Sequence, residues 1–259
     1  MFEELRNRAH AWRNRRVHRK FFESSRREFH AKLYRAGDKI RLLSGPFAGM
    51  RYLNTSSFGP IAPKWLGSYE WEIQDLVRGF CTSGYDLVVN VGSAEGYYAV
   101  GFAWRSCRSR VLAFDIDPFA RREVARLAQM NGVGERVTIA NTCSRSVLEA
   151  LRHGSTLLFV DIEGAEREFL DPSNCSAIKK FDILVELHQL PEVEELIKNR
   201  FRSTHAIERR AQTNRMEWQD KHKELWSDRF NEDEIARATN EFRTRQQAWL
   251  WLKAREGNF

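Results

Sequence analysis

The chain has 259 residues, 42% of them hydrophobic, and a net charge of +7. That length and apolar content can bury a full core, which excludes a peptide-like or disordered protein and predicts one large domain with appendages. No apolar run approaches the roughly 20 residues that cross a bilayer, and the first residues are crowded with arginine, so a soluble, cytoplasmic protein is expected. Four cysteines, Cys81, Cys107, Cys143 and Cys175, lie far apart without C-x-x-C spacing. They read as reduced thiols, not as a disulfide or zinc framework.

Residues 1–36 hold eleven Arg or Lys against four Glu, so the whole net charge sits in this arm. Leu5, Ala9, Trp12, Phe21, Phe22, Phe29 and Leu33 recur at about helical intervals, which predicts one or two amphipathic helices. Their basic face suits a nucleic-acid phosphate, an anionic membrane, a partner or simply the chain's own domain. "KIRLLSGPFAGMRYL" (39–53) predicts two short strands around the Ser44-Gly45-Pro46 turn. "SFGPIAPKWLG" marks a boundary, giving units of 1–66, 67–216 and 217–259. Ser68 is a candidate cap for a helix over 69–78, with Glu70 and Glu72 in its first turn and Gly79 just past its end.

From 85 to about 187 the pattern alternates. "YDLVVNV", "RVLAFDI", "RVTIAN", "TLLFVDI" and "FDILVELH" read as strands, and 97–105, 119–129, 145–152 and 165–170 as helices between them. Such alternation predicts a mostly parallel sheet covered on both faces, with ligands at the carboxyl ends of its strands.

The first candidate site is "VVNVGSAEGYYAV" (88–100). Gly92 and Gly96 allow a sharp turn, and taken alone they read equally as ordinary turn glycines. The later glycines of a G-x-G-x-x-G fingerprint are absent, with Ala94 and Tyr97 in their places. Asp115 follows Gly92 by 23 residues, close to the spacing at which a carboxylate accepts both hydroxyls of a ribose. No phosphate-binding lysine motif is present. A nucleoside without a large phosphate demand fits best.

In order and spacing, "VVNVGSAEGYYAVG", "VLAFDIDP", "AQMNGVGERVTIAN", "LLFVDIEGAE" and "FDILVELH" resemble the class I S-adenosylmethionine-dependent methyltransferases, and within them the FkbM-like group, over residues 67–210. The resemblance implies a Rossmann-like, doubly wound α/β fold: a mostly parallel seven-stranded sheet, here with helical N- and C-terminal extensions. It implies S-adenosylmethionine as cofactor, with the turn Gly92, Ser93, Ala94, Glu95 and Gly96 against the methionine portion and ribose. Asp115 would bind the ribose hydroxyls, Ile116 the adenine face, and Thr142 and Cys143 its edge, while Asp161 would face the methyl group. Family members commonly carry an acid at the position of Asn90, so the neutral amide there departs from the pattern. Asn90 and Cys143 read equally as core or loop positions.

The second constellation is "DIEGAE" with "VELH". Asp161 and Glu163 are two apart, as are Glu186 and His188, and such pairs share one face of an extended strand. In the class I topology the fourth and fifth strands are neighbours, so both pairs are expected at one rim. Three uses stay open. The favoured one is a general base for an acceptor hydroxyl, His188 first, with Asp161 and Glu186 behind it. The next is a divalent ion held by Asp161, Glu163, Glu186 and His188, although no metal is assigned. The last is a set of hydrogen-bonded strand-end residues. His205 is the weaker histidine, since a lone His on a strand is more often structural.

"STHAIERRA" predicts a further strand whose antiparallel return lies before Trp218. Asn231 caps a predicted long helix reaching about Arg255, with Trp249 and Trp251 packed inward. The function expected from the whole is O-methylation of a small-molecule, glycan or peptide acceptor, with a homodimer suggested by the two aromatic-rich extensions. The alternative is a nucleic-acid-binding protein or RNA methyltransferase using residues 1–36.

Overall fold

Seven strands form one sheet in the order β3-β2-β1-β4-β5-β7-β6. They are β1 (Leu87–Val91), β2 (Arg110–Phe114), β3 (Val137–Ala140), β4 (Thr156–Val160), β5 (Asp182–Leu187), β6 (His205–Ala211) and β7 (Ala248–Ala254). The structure, a computed structural model, describes residues 22–151, 154–188, 191–243 and 247–255. β1 to β5 pair in parallel, and β7 inserts antiparallel between β5 and β6. β1 and β4 are buried along their whole lengths, which is why both read as near-continuous apolar runs. The mostly parallel seven-stranded α/β sheet is the one the sequence predicts.

Helices cover both faces: α1 (22–33), α2 (Ala62–Leu66), α3 (Gln74–Ser83), α4 (Tyr97–Arg105), α5 (Pro118–Met130), α6 (Arg145–Ala150), α7 (Glu166–Phe169), α8 (Glu192–Phe201), α9 (Met216–Lys221), α10 (Lys223–Trp226) and α11 (Glu232–Ala238). α5 starts where the sequence places it, because Asp117 accepts a hydrogen bond from the Phe119 amide and Pro118 occupies the first turn. One apolar cluster joins Val88, Phe159 and Trp249 of the sheet to Phe29, Trp65, Trp218 and Trp226. A second, on the opposite face, joins Val89, Val160, Ile183 and Leu250 to Ile197 of α8. The boundaries expected at 66 and 216 therefore fall inside one shared core.

Four local expectations need correction. The long helix to Arg255 stops at Ala238, and residues 248–254 are instead the sheet's antiparallel strand. Along it Leu250 and Leu252 face one core and Trp249 the other, so both faces are apolar and the run lacks the polar alternation that marks a half-exposed strand. The 217–259 unit is accordingly helical only in part, three short helices leading into a strand of the sheet. The return of β6 is this strand, reached after α9–α11, and does not precede Trp218. The expected 69–78 helix runs from Gln74 to Ser83, with Gly84 rather than Gly79 at its end, and Ser68 does not cap its start but donates to the Pro63 carbonyl of α2. The 39–53 hairpin is reduced to a single antiparallel bridge between Arg41 and Arg51.

Of the basic arm, residues 1–21 lie outside the described part. α1 buries Phe29 and Leu33 in the core, and it pairs Lys32 with Glu234 (2.7 Å) and Glu28 with Arg237 (2.8 Å). Among the described residues no helix is long and apolar enough to cross a membrane.

The segment before the sheet is locked to the Gly92 turn by one buried ion pair. The Lys64 ammonium donates to Glu95, which also accepts from the Tyr52 hydroxyl (2.9 Å) and the Ser57 amide (2.9 Å). Burial pushes the Glu95 carboxyl up, but the Lys64 charge and these donors outweigh it and hold the acid below its ordinary range. Breaking such a pair from one side strands a buried charge and costs about 3–5 kcal/mol. In urea unfolding, Lys64→Met is expected to lose that amount, with at least half regained in Lys64→Met/Glu95→Gln; additive losses would contradict the pairing.

Candidate active site

The turn after β1 is shaped by its neighbours. Gly92 has φ +81°, and a Cβ there would lie 1.6 Å from the Asp161 carbonyl oxygen, so only glycine lets the ends of β1 and β4 meet. Gly96, at φ +99°, packs against Val100 and Val124. Both glycines are explained by contacts within the chain. Ala94 is also left-handed, at φ +46°, and its amide donates to Asp115 Oδ2 at 2.8 Å. Asp115 Oδ1 accepts from the Asp117 amide at 2.8 Å. Each oxygen keeps a second lone pair for a ligand hydroxyl. Burial lifts the Asp115 carboxyl to about 6 against these two amide donors.

The other residues predicted to hold a cofactor divide in two. Ile116, beside Asp115, exposes 57% of its surface, an apolar side chain at the strand's carboxyl end. Asn90 and Ser93 are buried, and Asn90 Oδ1 and Ser93 Oγ have no hydrogen-bond partner among the described residues. A buried polar atom without a partner costs about 1–3 kcal/mol, so two of them beside one turn point to a polar ligand. Thr142 is exposed and Cys143 buried just beyond β3. Glu95 is turned away, committed to Lys64.

The rim at the ends of β4 and β5 does bring the second constellation together, though not by strand alternation. Glu186 lies in β5 and His188 just past it, while Asp161 and Glu163 are in the turn after β4, with Glu163 at φ +55°. His188 Nδ1 is 2.8 Å from Glu166 Oε1. His188 Nε2 faces Asp161 Oδ1 at 3.6 Å, Glu163 Oε2 at 3.4 Å and Glu186 Oε2 at 3.6 Å. Burial works against charge on this ring, but the Glu166 hydrogen bond and the carboxylates of Asp161, Glu186 and Glu163 prevail and raise it to about 9. Burial likewise raises Asp161 to about 7, and Glu186 to about 8 with the help of the Asp161 charge. His205 is buried at the start of β6, its ring bonded to the Phe181 carbonyl (2.9 Å) and Thr204, and does not approach this rim.

Sequence reasoning missed the ions behind the rim. Glu70, expected in a helical first turn, sits at φ +47°; its carboxylate accepts from the Tyr98 hydroxyl and from Arg243 (3.2 Å). Arg243 also donates to Glu186 and to Glu241 (3.0 Å), and Glu241 shares Arg215 with Glu72. Contacts across as many as 173 positions leave no periodic trace in a sequence. Glu166 was visible in "DIEGAE" but had no evident partner until the fold placed His188 beside it. Altogether seven carboxylates (Glu70, Glu72, Asp161, Glu163, Glu166, Glu186, Glu241) are linked through two guanidiniums and one imidazole.

No family model matches the chain, and no curated protein matches it. Similar solved structures include a precorrin 8w decarboxylase from Methanobacterium thermoautotrophicum (19% identity, 70% of this chain and 89% of that one, TM-score 0.44). A second is an S-adenosylmethionine-dependent methyltransferase from Geobacter sulfurreducens in complex with S-adenosyl-L-homocysteine (14%, 72% and 91%, TM-score 0.45). A third is an O-methyltransferase from Bacillus cereus in complex with S-adenosylhomocysteine (11%, 67% and 77%, TM-score 0.42).

Arg243→Met would leave Glu70, Glu186 and Glu241 short of their shared cation. Its unfolding free energy is expected to fall by about 3–5 kcal/mol in urea titration. A loss below about 1 kcal/mol, the range of a surface pair, would show that the network is not held by this guanidinium.

Proposed function

We propose that the protein is an S-adenosylmethionine-dependent methyltransferase of the FkbM-like group, acting on an oxygen of a small-molecule, glycan or peptide acceptor. The observation that carries this reading is the juxtaposition of two half-sites. Asp115 and the 92–96 turn, with the unpartnered Asn90 and Ser93, offer a nucleoside and amino-acid cradle, and Gly92 lies directly against Asp161 of the charged rim.

In this reading Asp115 accepts the ribose hydroxyls and Ile116 lies under the adenine, with Thr142 and Cys143 at its edge. Asn90 Oδ1 accepts from the methionine ammonium, a neutral acceptor in place of a charged one. The sulfonium already supplies a good leaving group, so the chain's task is in-line placement and removal of the acceptor proton. The acceptor oxygen takes the methyl carbon as the carbon–sulfur bond breaks, S-adenosylhomocysteine leaves, and the proton passes to Asp161. His188, anchored on Glu166 and facing three carboxylates, positions the rim instead of serving as its base. In α1, Arg26 and Arg27 pair with Glu23, and Lys32 pairs with Glu234. These pairs direct the described part of the basic arm to its own chain, which favours the small-molecule, glycan or peptide reading over the nucleic-acid one.

Calorimetric titration with S-adenosylhomocysteine tests the cofactor half. Micromolar binding lost in Asp115→Ala, with no NAD binding, is expected; a folded sample that binds NAD or neither ligand would overturn the reading. The Asp115 carboxyl is raised to about 6, so it is ionised above that pH and protonated below it. Affinity should therefore be level above about pH 7 and weaken about tenfold per unit below about pH 6, with the slope gone in Asp115→Asn. For the rim, Asp161→Asn is expected to lower kcat by about 100-fold or more while the cofactor Kd stays within about threefold. A parallel loss of cofactor binding would place Asp161 in the cradle instead.

A further inference from the structure

We propose that Asp161, Glu186 and His188 form a divalent cation site, suited to Mn²⁺ or Mg²⁺, at the carboxyl ends of β4 and β5. One ligand atom from each of these three residues lies within 4.8 Å of the other two. The His188 Nε2 separations of 3.4–3.6 Å are too long for hydrogen bonds, and neither Nε2 nor Asp161 Oδ1 has a hydrogen-bond partner among the described residues. Two adjacent ligands of an octahedral ion, each about 2.1 Å from it, lie about 3.0 Å apart, so a contraction of about half an ångström would bring His188 Nε2 and the facing Asp161 and Glu186 oxygens to coordination spacing.

The imidazole is prepared for this role. Its side chain is only 10% exposed, and Nδ1 is bonded to the fully buried Glu166 carboxylate, which fixes the ring and aims Nε2 at the other carboxylates, where an ion would take the place of the Nε2 proton. Arg243 occupies Glu186 Oε1 and leaves Oε2 toward His188. The excess of buried carboxylates over cations around the rim also calls for a positive charge. Two carboxylates with one imidazole favour Mn²⁺ or Mg²⁺ over a thiolate-seeking metal. With Glu163 at the exposed edge, three protein ligands leave positions for water or an acceptor oxygen.

Ion binding stands on this geometry alone, whereas its catalytic use rests on the methyltransferase reading. There, an acceptor hydroxyl on the ion becomes more acidic, Asp161 binds through Oδ1, and its other oxygen takes the proton.

The test is Mn²⁺ titration of the chelator-treated full chain by calorimetry and electron paramagnetic resonance, with neither cofactor nor acceptor present. One equivalent is expected, with ¹⁴N coupling from His188 that disappears in His188→Gln. Glu186→Gln should weaken binding by at least about tenfold, and Glu166→Gln, which touches no ion, by about 10- to 100-fold through loss of ring orientation. Glu135→Gln, remote on the surface, should bind as wild type, and far-UV circular dichroism confirms that each variant is folded. No binding at millimolar Mn²⁺, or binding without ¹⁴N coupling and with unchanged affinity in His188→Gln, would overturn the site whatever the cofactor titration shows.

Discussion

A buried excess of negative charge governs this molecule. Residues 70–72, the turn after β4, the end of β5 and residues 215–243 come from distant parts of the chain, and what joins them is a run of carboxylates around Arg215, Arg243 and His188. Carboxylates taken from water must be paired, protonated or bound to a cation. The upward shifts of Glu70 and Glu186, both to about 8, record how incompletely the two arginines compensate. Charge left over in such a place is more readily understood as chemistry than as stability, since apolar residues would hold the same elements together at lower cost.

The sheet order turns that charge into a site. With β1 between β2 and β4, and β5 beside β4, the Gly92 turn, Asp115 and the rim all open at the carboxyl edge. The contact of Gly92 with the Asp161 carbonyl leaves no spacer between cradle and rim. On the proposed reading, a group carried by that turn would meet the rim without any large movement. The Lys64–Glu95 pair ties the segment before the sheet to the same turn, so residues outside the α/β unit help fix its shape.

Much of this was legible in the sequence, for physical reasons. Strands buried on both faces show as unbroken apolar runs, and β1, β2, β4 and β5 were found that way. Asp115 could be picked out because a strand end and a turn at fixed spacing constrain each other locally. The meeting of Asp161 and Glu163 with Glu186 and His188 followed from the neighbourhood of β4 and β5, even though the first pair sits in a turn and not on a strand. Illegible were the features set by long-range contact: the strand at 248–254, whose two apolar faces imitate a helix, the left-handed Glu70, and the partners Arg243 and Glu166. The Lys64 partner of the Glu95 carboxylate was illegible for the same reason, because it lies 31 residues earlier, in a segment with no periodic signal.

If the cradle and the rim serve one reaction, a crystal structure of the protein grown with S-adenosylhomocysteine will show it. The ribose hydroxyls are predicted on Asp115, the ammonium near Asn90, and the sulfur's vacant methyl position facing Asp161, Glu186 and His188. A ligand bound elsewhere, or one whose sulfur points away from that rim, would mean that the two half-sites do not serve one reaction.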